Sequence, residues 1–165
     1  MKNYAQYYQA ITVSLRKSPL ALKLLELLNG SVTKLMYLFY PLLLAYLAWK
    51  LPERLLIYIL VPGISFVLVS LLRKLINQKR PYENWDLDPL IKKDTKGQSM
   101  PSRHVFSATI ISMCFLSLNL YLGILLLIFS AILALCRVLG GVHYPKDVLV
   151  GMLLGILAGF LVFIF

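Results

Sequence analysis

The sequence predicts an all-α fold: a polytopic bundle of transmembrane helices with five spans, preceded by an N-terminal amphipathic helix that acts as a sixth if it tilts into the bundle. Composition is the first reason. Of 165 residues, 59% are hydrophobic and the mean hydropathy is +0.77, too apolar for a soluble domain of this size. The second is the charge pattern. Leu55 to Leu72, Val105 to Cys136 and Val148 to Phe165 carry no charged side chain, and runs of this length can cross a hydrocarbon core of roughly 30 Å.

In chain order, Tyr4, Tyr8, Ile11 and Leu15 recur at helical spacing. Ser18-Pro19 reads as a cap followed by a proline at the first helical position. A second short amphipathic helix then runs to Leu28 and stops at Asn29-Gly30. With Arg16, Lys17, Lys23 and Glu26, region 1–30 is expected to lie in the membrane interface, a tilted span being the alternative. It lacks a compact apolar core with a small-residue cleavage site, so no secretory signal is read.

Spans are expected at 31–50, 54–75, 103–119, 121–139 and 146–165, within one integral membrane domain covering 1–165. The first needs Ser31 to Lys34 to reach full length, with Lys34 snorkelling to the interface. The run from Val105 to Cys136 would make one helix about 48 Å long, too long for a single crossing; "SLNLYLG" at 117–123 is the expected turn. Gly151, Gly155 and Gly159 form a stripe suited to close helix packing. Cys114 and Cys136 read as small buried hydrophobes. The polar stretch 77–98, punctuated by Pro81 and Pro89, is the one loop large enough to cover a site.

The net charge of +10 is concentrated: ten of the seventeen Lys and Arg residues lie between Arg73 and Lys146, flanking span ends that meet on one side. Such an excess calls for anionic partners, here lipid headgroups or phosphorylated substrates rather than nucleic acid. Counting crossings brings together Arg73 and Arg80, Ser102 to His104, Arg137, and His143 with Asp147. Arginines gathered in one pocket repel one another unless an anion lies between them, and the guanidinium fork grips phosphate oxygens in pairs. Two span N-termini add free N–H groups and the positive dipole end. His143 and Asp147 stand four apart with Pro145 between them, a spacing that lets a carboxylate fix an imidazole tautomer. A neutral histidine so held can attack phosphorus, and His104 from another helix can protonate the departing oxygen. Asp86 and Asp88 are read as solvated loop charges rather than magnesium ligands.

Three segments carry a resemblance: "RKLINQKRP" at 73–81, "PSRH" at 101–104 and "CRVLGGVHYPKD" at 136–147. In order and internal spacing they resemble the signature of the type 2 phosphatidic acid phosphatase superfamily, K-x6-R-P, P-S-G-H and S-R-x5-H-x3-D, over about Leu55 to Phe165. The resemblance implies His143 as a nucleophile forming phosphohistidine, Asp147 as its partner and His104 as general acid. It implies Arg73, Arg80, Ser102 and Arg137 as phosphate ligands and neither metal nor cofactor; Arg103, outside the pattern, adds a phosphate or headgroup contact if its backbone is helical. Three positions depart from the pattern. Arg73 stands for lysine, Cys136 for serine and Arg103 for glycine; the last is strained if its backbone needs a positive φ and harmless if it is helical.

The implied activity is metal-independent hydrolysis of a lipid phosphate or diphosphate: undecaprenyl diphosphate, phosphatidylglycerol phosphate or phosphatidic acid. Transfer from the same intermediate to another acceptor, or non-catalytic binding of anionic lipid, are the alternatives. Lys and Arg counts would put the motif side in the cytoplasm. The resemblance instead implies the extracytoplasmic face of a bacterial membrane.

Overall fold

The computed structural model describes residues 3–165; Met1 and Lys2, part of the predicted N-terminal region, lie outside the described residues. All regular structure among these residues is helical. Helix α1 (Tyr4–Arg16) starts where the Asn3 side chain accepts from the Gln6 N–H. It buries Tyr4 and Tyr8 and half-buries Ile11 and Leu15, the predicted face. Thr12 is buried among them because its hydroxyl donates to the Tyr8 carbonyl at 2.8 Å. Asp86 and Asp88 are both exposed, as expected of solvated loop charges, and Asp88 additionally pairs with Arg16 at 2.9 Å.

Helix α2 (Pro19–Lys50) begins at Ser18 as predicted, the hydroxyl accepting from the Ala21 N–H. It does not stop at Asn29-Gly30. One helix of 32 residues replaces the expected short helix and separate span. Leu25, Val32, Met36, Leu43 and Leu47 form one buried stripe on both sides of Gly30, and continuous packing outweighs a local stop signal of about 1 kcal/mol. The Asn29 carbonyl also accepts from the Thr33 hydroxyl one turn on, at 2.9 Å.

Helix α3 (Pro52–Ile76) ends at Asn77, which takes the left-handed conformation (φ 40°) common after helix C-termini. A single turn, α4 (Pro81–Asn84), opens the polar loop. Helices α5 (Arg103–Leu116), α6 (Leu120–Leu139) and α7 (Pro145–Ile164) follow. The turn expected near 117–123 falls at Ser117–Asn119, where the Asn119 side chain accepts from the Leu122 N–H at 2.9 Å.

Helices α2, α3, α6 and α7 are long and apolar enough to cross a membrane. Their outward faces are apolar, with Leu38, Leu56, Leu68, Leu153 and Phe160 among the exposed side chains, and the protein is an integral membrane protein. Helix α5 is shorter than the predicted 103–119: its 14 residues span about 21 Å. It is the central helix, with Ala108 to Cys114 all buried and its largest interfaces made with α7 and α6. It therefore presents little surface to lipid.

The glycine stripe explains how closely α5 and α7 meet. A Cβ at Gly151 would lie 2.7 Å from the Ser102 carbonyl oxygen, one at Gly155 2.7 Å from Thr109 Cβ, and one at Gly159 2.4 Å from Met113 Cβ. Nothing lies within 4 Å of the same position at Gly30. Gly155→Ala is therefore expected to lower the melting temperature in detergent, at an overpacking penalty of about 1–3 kcal/mol. Gly30→Ala should leave it unchanged or raise it. Equal effects at both positions would remove the close-packing account.

Candidate active site

Close approach of α5 and α7 sets two helix N-termini side by side, and the Ser102 N–H donates to the Asp147 carbonyl across them at 2.9 Å. Between α6 and α7 the chain turns at Gly141 (φ 73°), a conformation that favours glycine, and delivers His143 into the interior, 1% exposed. Helix α1 braces this turn. The Tyr8 hydroxyl donates to the Leu139 carbonyl and accepts from the Leu90 N–H, and the Tyr4 ring meets Tyr144 edge-on at 4.8 Å.

The pair expected from sequence is present, but a third residue lies in it. His143 Nδ1 stands 3.7 Å from Asp147 Oδ2, beyond hydrogen-bond length. Ser99 Oγ donates to Asp147 Oδ2 at 2.5 Å and lies 3.4 Å from His143 Nδ1. Asp147 also accepts from the Tyr144 N–H at 3.0 Å and from Gln78 Nε2 at 3.2 Å. A hydroxyl that donates to the carboxylate can accept only from Nδ1–H. The network therefore favours the tautomer with a free lone pair on Nε2. Burial lowers the His143 pKa to about 4: the Asp147 carboxylate opposes the shift, while Arg80 and Arg137 add to it. The imidazole is neutral at ordinary pH.

Arg73, Arg80 and Arg137 are each at most 6% exposed, and neither ion pair among the described residues involves them. Two of them donate to carbonyls: Arg73 Nη1 to Pro101 at 3.3 Å and Arg80 Nε to Gly97 at 3.1 Å. Among the described residues, Nε of Arg73, Nε of Arg137 and Oγ of Ser102 have no hydrogen-bond partner despite burial. Ser102 precedes α5 but makes no side-chain cap, so its hydroxyl is available to a ligand. Buried cations without counter-charge are costly unless an anion joins them. A tetrahedral oxyanion matches this donor set. No group of three or more His, Cys, Asp or Glu side chains gathers to hold a metal ion among the described residues.

The other predicted residues divide. His104 is half-buried at the start of α5, within electrostatic reach of Arg137, Lys93, His143 and Arg73. Arg103 is exposed, its guanidinium 5.8 Å from the Phe66 ring centroid, so it sits at the rim rather than in the buried cluster. Its φ is not positive, which resolves the glycine departure: a first-turn helical arginine carries no backbone strain there. Cys136 is buried as expected. Sequence reasoning missed Ser99 and Gln78, and did not single out Lys93, which stands half-buried beside the arginines. The serine two residues before "PSRH" was the available signal for the first. Nothing local distinguishes Lys93 from Lys92 or Lys96.

Comparison with known proteins agrees with the geometry. The PAP2 superfamily pattern matches residues 54–165. Undecaprenyl-diphosphatase BcrC of Bacillus subtilis is 33% identical over 110 residues, 66% of this chain; the chain spans little more than half of that relative, 56% of its length. The crystal structure of Aquifex aeolicus LpxE superposes with a TM-score of 0.78 at 25% identity, over 100% of this chain and 96% of that one. The fold is shared too with a transmembrane PAP2-type phosphatidylglycerolphosphate phosphatase from Bacillus subtilis, with a TM-score of 0.74 at 24% identity over 95% and 83% of the two chains.

If the arginines are held against mutual repulsion, Arg137→Met should raise the melting temperature of the ligand-free protein by a few degrees. The same change should abolish the stabilisation that millimolar inorganic phosphate gives the parent. A fall in melting temperature, with the phosphate effect intact, would contradict this account.

Proposed function

The chain belongs to the PAP2 superfamily, and from that premise we propose that it is a membrane phosphatase that hydrolyses a lipid phosphate or diphosphate through a phosphohistidine intermediate. The observation that carries this reading is the trio of buried, unpaired arginines around a buried neutral histidine. In the proposed reaction Arg73, Arg80, Arg137 and the Ser102 hydroxyl hold the non-bridging oxygens. His143 Nε2 attacks phosphorus in line, the bond to the leaving oxygen breaks, and His104 gives that oxygen a proton. The imidazole becomes cationic as it is phosphorylated, and Asp147, reached through Ser99, stabilises that charge. Water then gives a proton to His104 as its oxygen bonds to phosphorus; the Nε2–P bond breaks, its electron pair returns to the imidazole, and phosphate leaves with His143 neutral again.

A lipid substrate is supported by an apolar groove between α2, α3 and α5, lined by Tyr37, Tyr40, Pro62, Phe66, Phe106 and Ser107 among others. Tyr37 and Ser107 also line a small cavity with His104, so an acyl or prenyl tail in the groove leads its headgroup to the general acid. Undecaprenyl diphosphate and phosphatidylglycerol phosphate, the substrates implied by the names of two similar proteins, both fit this geometry. Helices α2, α3, α5, α6 and α7 form five spans in this reading. Helix α1 lies at the interface over the site, within one domain that includes the loop 77–98.

We place the site on the extracytoplasmic face. Arg73, Arg80 and Arg137, which bias the charge count, are buried, and in this reading they serve phosphate rather than lipid headgroups. A membrane-impermeant maleimide should label Lys92→Cys in intact cells. Labelling only after lysis would put the site in the cytoplasm.

The activity is tested by phosphate release from detergent-solubilised lipids in excess EDTA. The parent is expected to turn over and His143→Ala to lose at least roughly 1,000-fold. Release that survives in His143→Ala would remove the histidine as nucleophile. Because burial holds His143 neutral, the acid limb of kcat/KM should lie below pH 6.5, with activity lost as pH falls toward about 4. A limb at or above 6.5 would contradict the buried neutral nucleophile.

A further inference from the structure

Asp147 has more partners than an orienting carboxylate needs, and two of them come from the ends of one loop. Its Oδ2 accepts from the Ser99 hydroxyl at 2.5 Å and from the Tyr144 N–H at 3.0 Å, which fills the two lone pairs of that oxygen. Its Oδ1 accepts from Gln78 Nε2 at 3.2 Å. Gln78 and Ser99 stand where the polar loop begins and ends, and the Ser99 N–H donates to the Gln78 carbonyl at 2.8 Å. Each follows a residue in the left-handed region, Asn77 (φ 40°) and Gln98 (φ 50°). Glutamine is not favoured there, so the backbone is strained at the point where it turns the fully buried Ser99 inward.

With Oδ2 saturated, the Ser99 oxygen, 3.4 Å from His143 Nδ1, is left to accept the Nδ1–H, and the carboxylate stays 3.7 Å away. A carboxylate in direct contact stabilises a charged imidazole strongly, by roughly one to three pH units in close pairs. The other groups around the ring are Arg80 at the head of α4, Arg137 on α6 and His104 on α5, and the two arginines disfavour charge on it. Arg73 on α3 and Tyr4 on α1 face Asp147 instead. Asp147 is the one buried carboxylate among the described residues. Its distance from Nδ1 therefore sets how readily the ring takes a proton.

Resting on the reading of His143 as nucleophile, we infer that Ser99 is a positioning residue whose hydroxyl, backed by Gln78, keeps the Asp147 carboxylate out of direct contact with the imidazole. The carboxylate then fixes the tautomer through the hydroxyl without forming the ion pair that would favour a protonated ring. A protonated ring has no lone pair on Nε2 and cannot attack phosphorus. No proton changes hands in this arrangement: Ser99 donates to Asp147 and accepts from the Nδ1–H.

The chain has two histidines, so histidine-selective nitrogen-15 labelling of the detergent-solubilised protein reads two rings, assigned with His104→Gln. In the parent, His143 should show the Nδ1–H tautomer. In Ser99→Ala the carboxylate loses a donor and is free to meet the Nδ1–H directly. The His143 titration midpoint should then rise by about one pH unit, and the acid limb of kcat/KM should rise with it. Gln78→Leu should move both in the same direction, and Ser99→Thr, which keeps the hydroxyl, should return the parent midpoint. An unmoved midpoint in folded Ser99→Ala would overturn the inference. So would a lowered one, the sign of a hydroxyl that only relays the Asp147 charge. A raised midpoint in a chain that releases no phosphate from any lipid would remove the phosphatase reading and keep the positioning role. Turnover by the parent with no shift in Ser99→Ala would do the reverse.

Discussion

The polar end of this bundle is organised by the distance at which α5 and α7 pack. Glycines at 151, 155 and 159 let α5 atoms, and the Ser102 carbonyl just before it, come within 2.4–2.7 Å of where a Cβ would sit. That approach makes the hydrogen bond from Ser102 to Asp147 possible across two helix starts. Ser102 and His104 stand on one of these starts, and Asp147 on the other, four residues after His143. With larger residues in the stripe the helices would separate and the site would open along its seam.

Stability and function pull against each other at this site. Among the described residues, three buried guanidiniums without carboxylate partners oppose folding, and the one buried acid, Asp147, is already engaged by Ser99, Gln78, the Tyr144 N–H and His143. The bundle holds the cations in place through carbonyl partners for Arg73 and Arg80 and through the apolar packing of α2, α5 and α6, where Val32, Met36, Ala108, Ile111, Leu126 and Leu133 form one core cluster. Under the proposed function, this cost to folding is what a bound phosphate would offset. The same burial keeps His143 neutral, the state in which a histidine can act as a nucleophile.

The loop from 77 to 98 is less a cover than a wall. Its two ends are joined by Glu83, which accepts from both Arg80 and Gly97, and its middle is fastened to α1 through Asp88 and Arg16 and through Leu90 and Tyr8. Helix α1 thus holds two pieces of the site at once, the loop and the α6–α7 turn. An amphipathic helix has been put to structural use.

The sequence alone determined the helical class, the apolar runs, the turn near Asn119 and which motif residues to look for at the candidate site. Those features rest on local composition and spacing, and three motif segments with fixed internal distances made the site legible before any coordinates. Tertiary structure decided the rest. The stop at Asn29-Gly30 disappeared because one buried stripe on α2 runs past it, a matter of packing partners that local residues do not encode. Arg103, adjacent to His104 in the chain, turned outward over Phe66. Ser99, distant from Asp147 in sequence, entered between the carboxylate and the imidazole. Which side chain faces a ligand depends on how helices rotate and approach once they meet, and that is set by contacts between segments far apart in the chain.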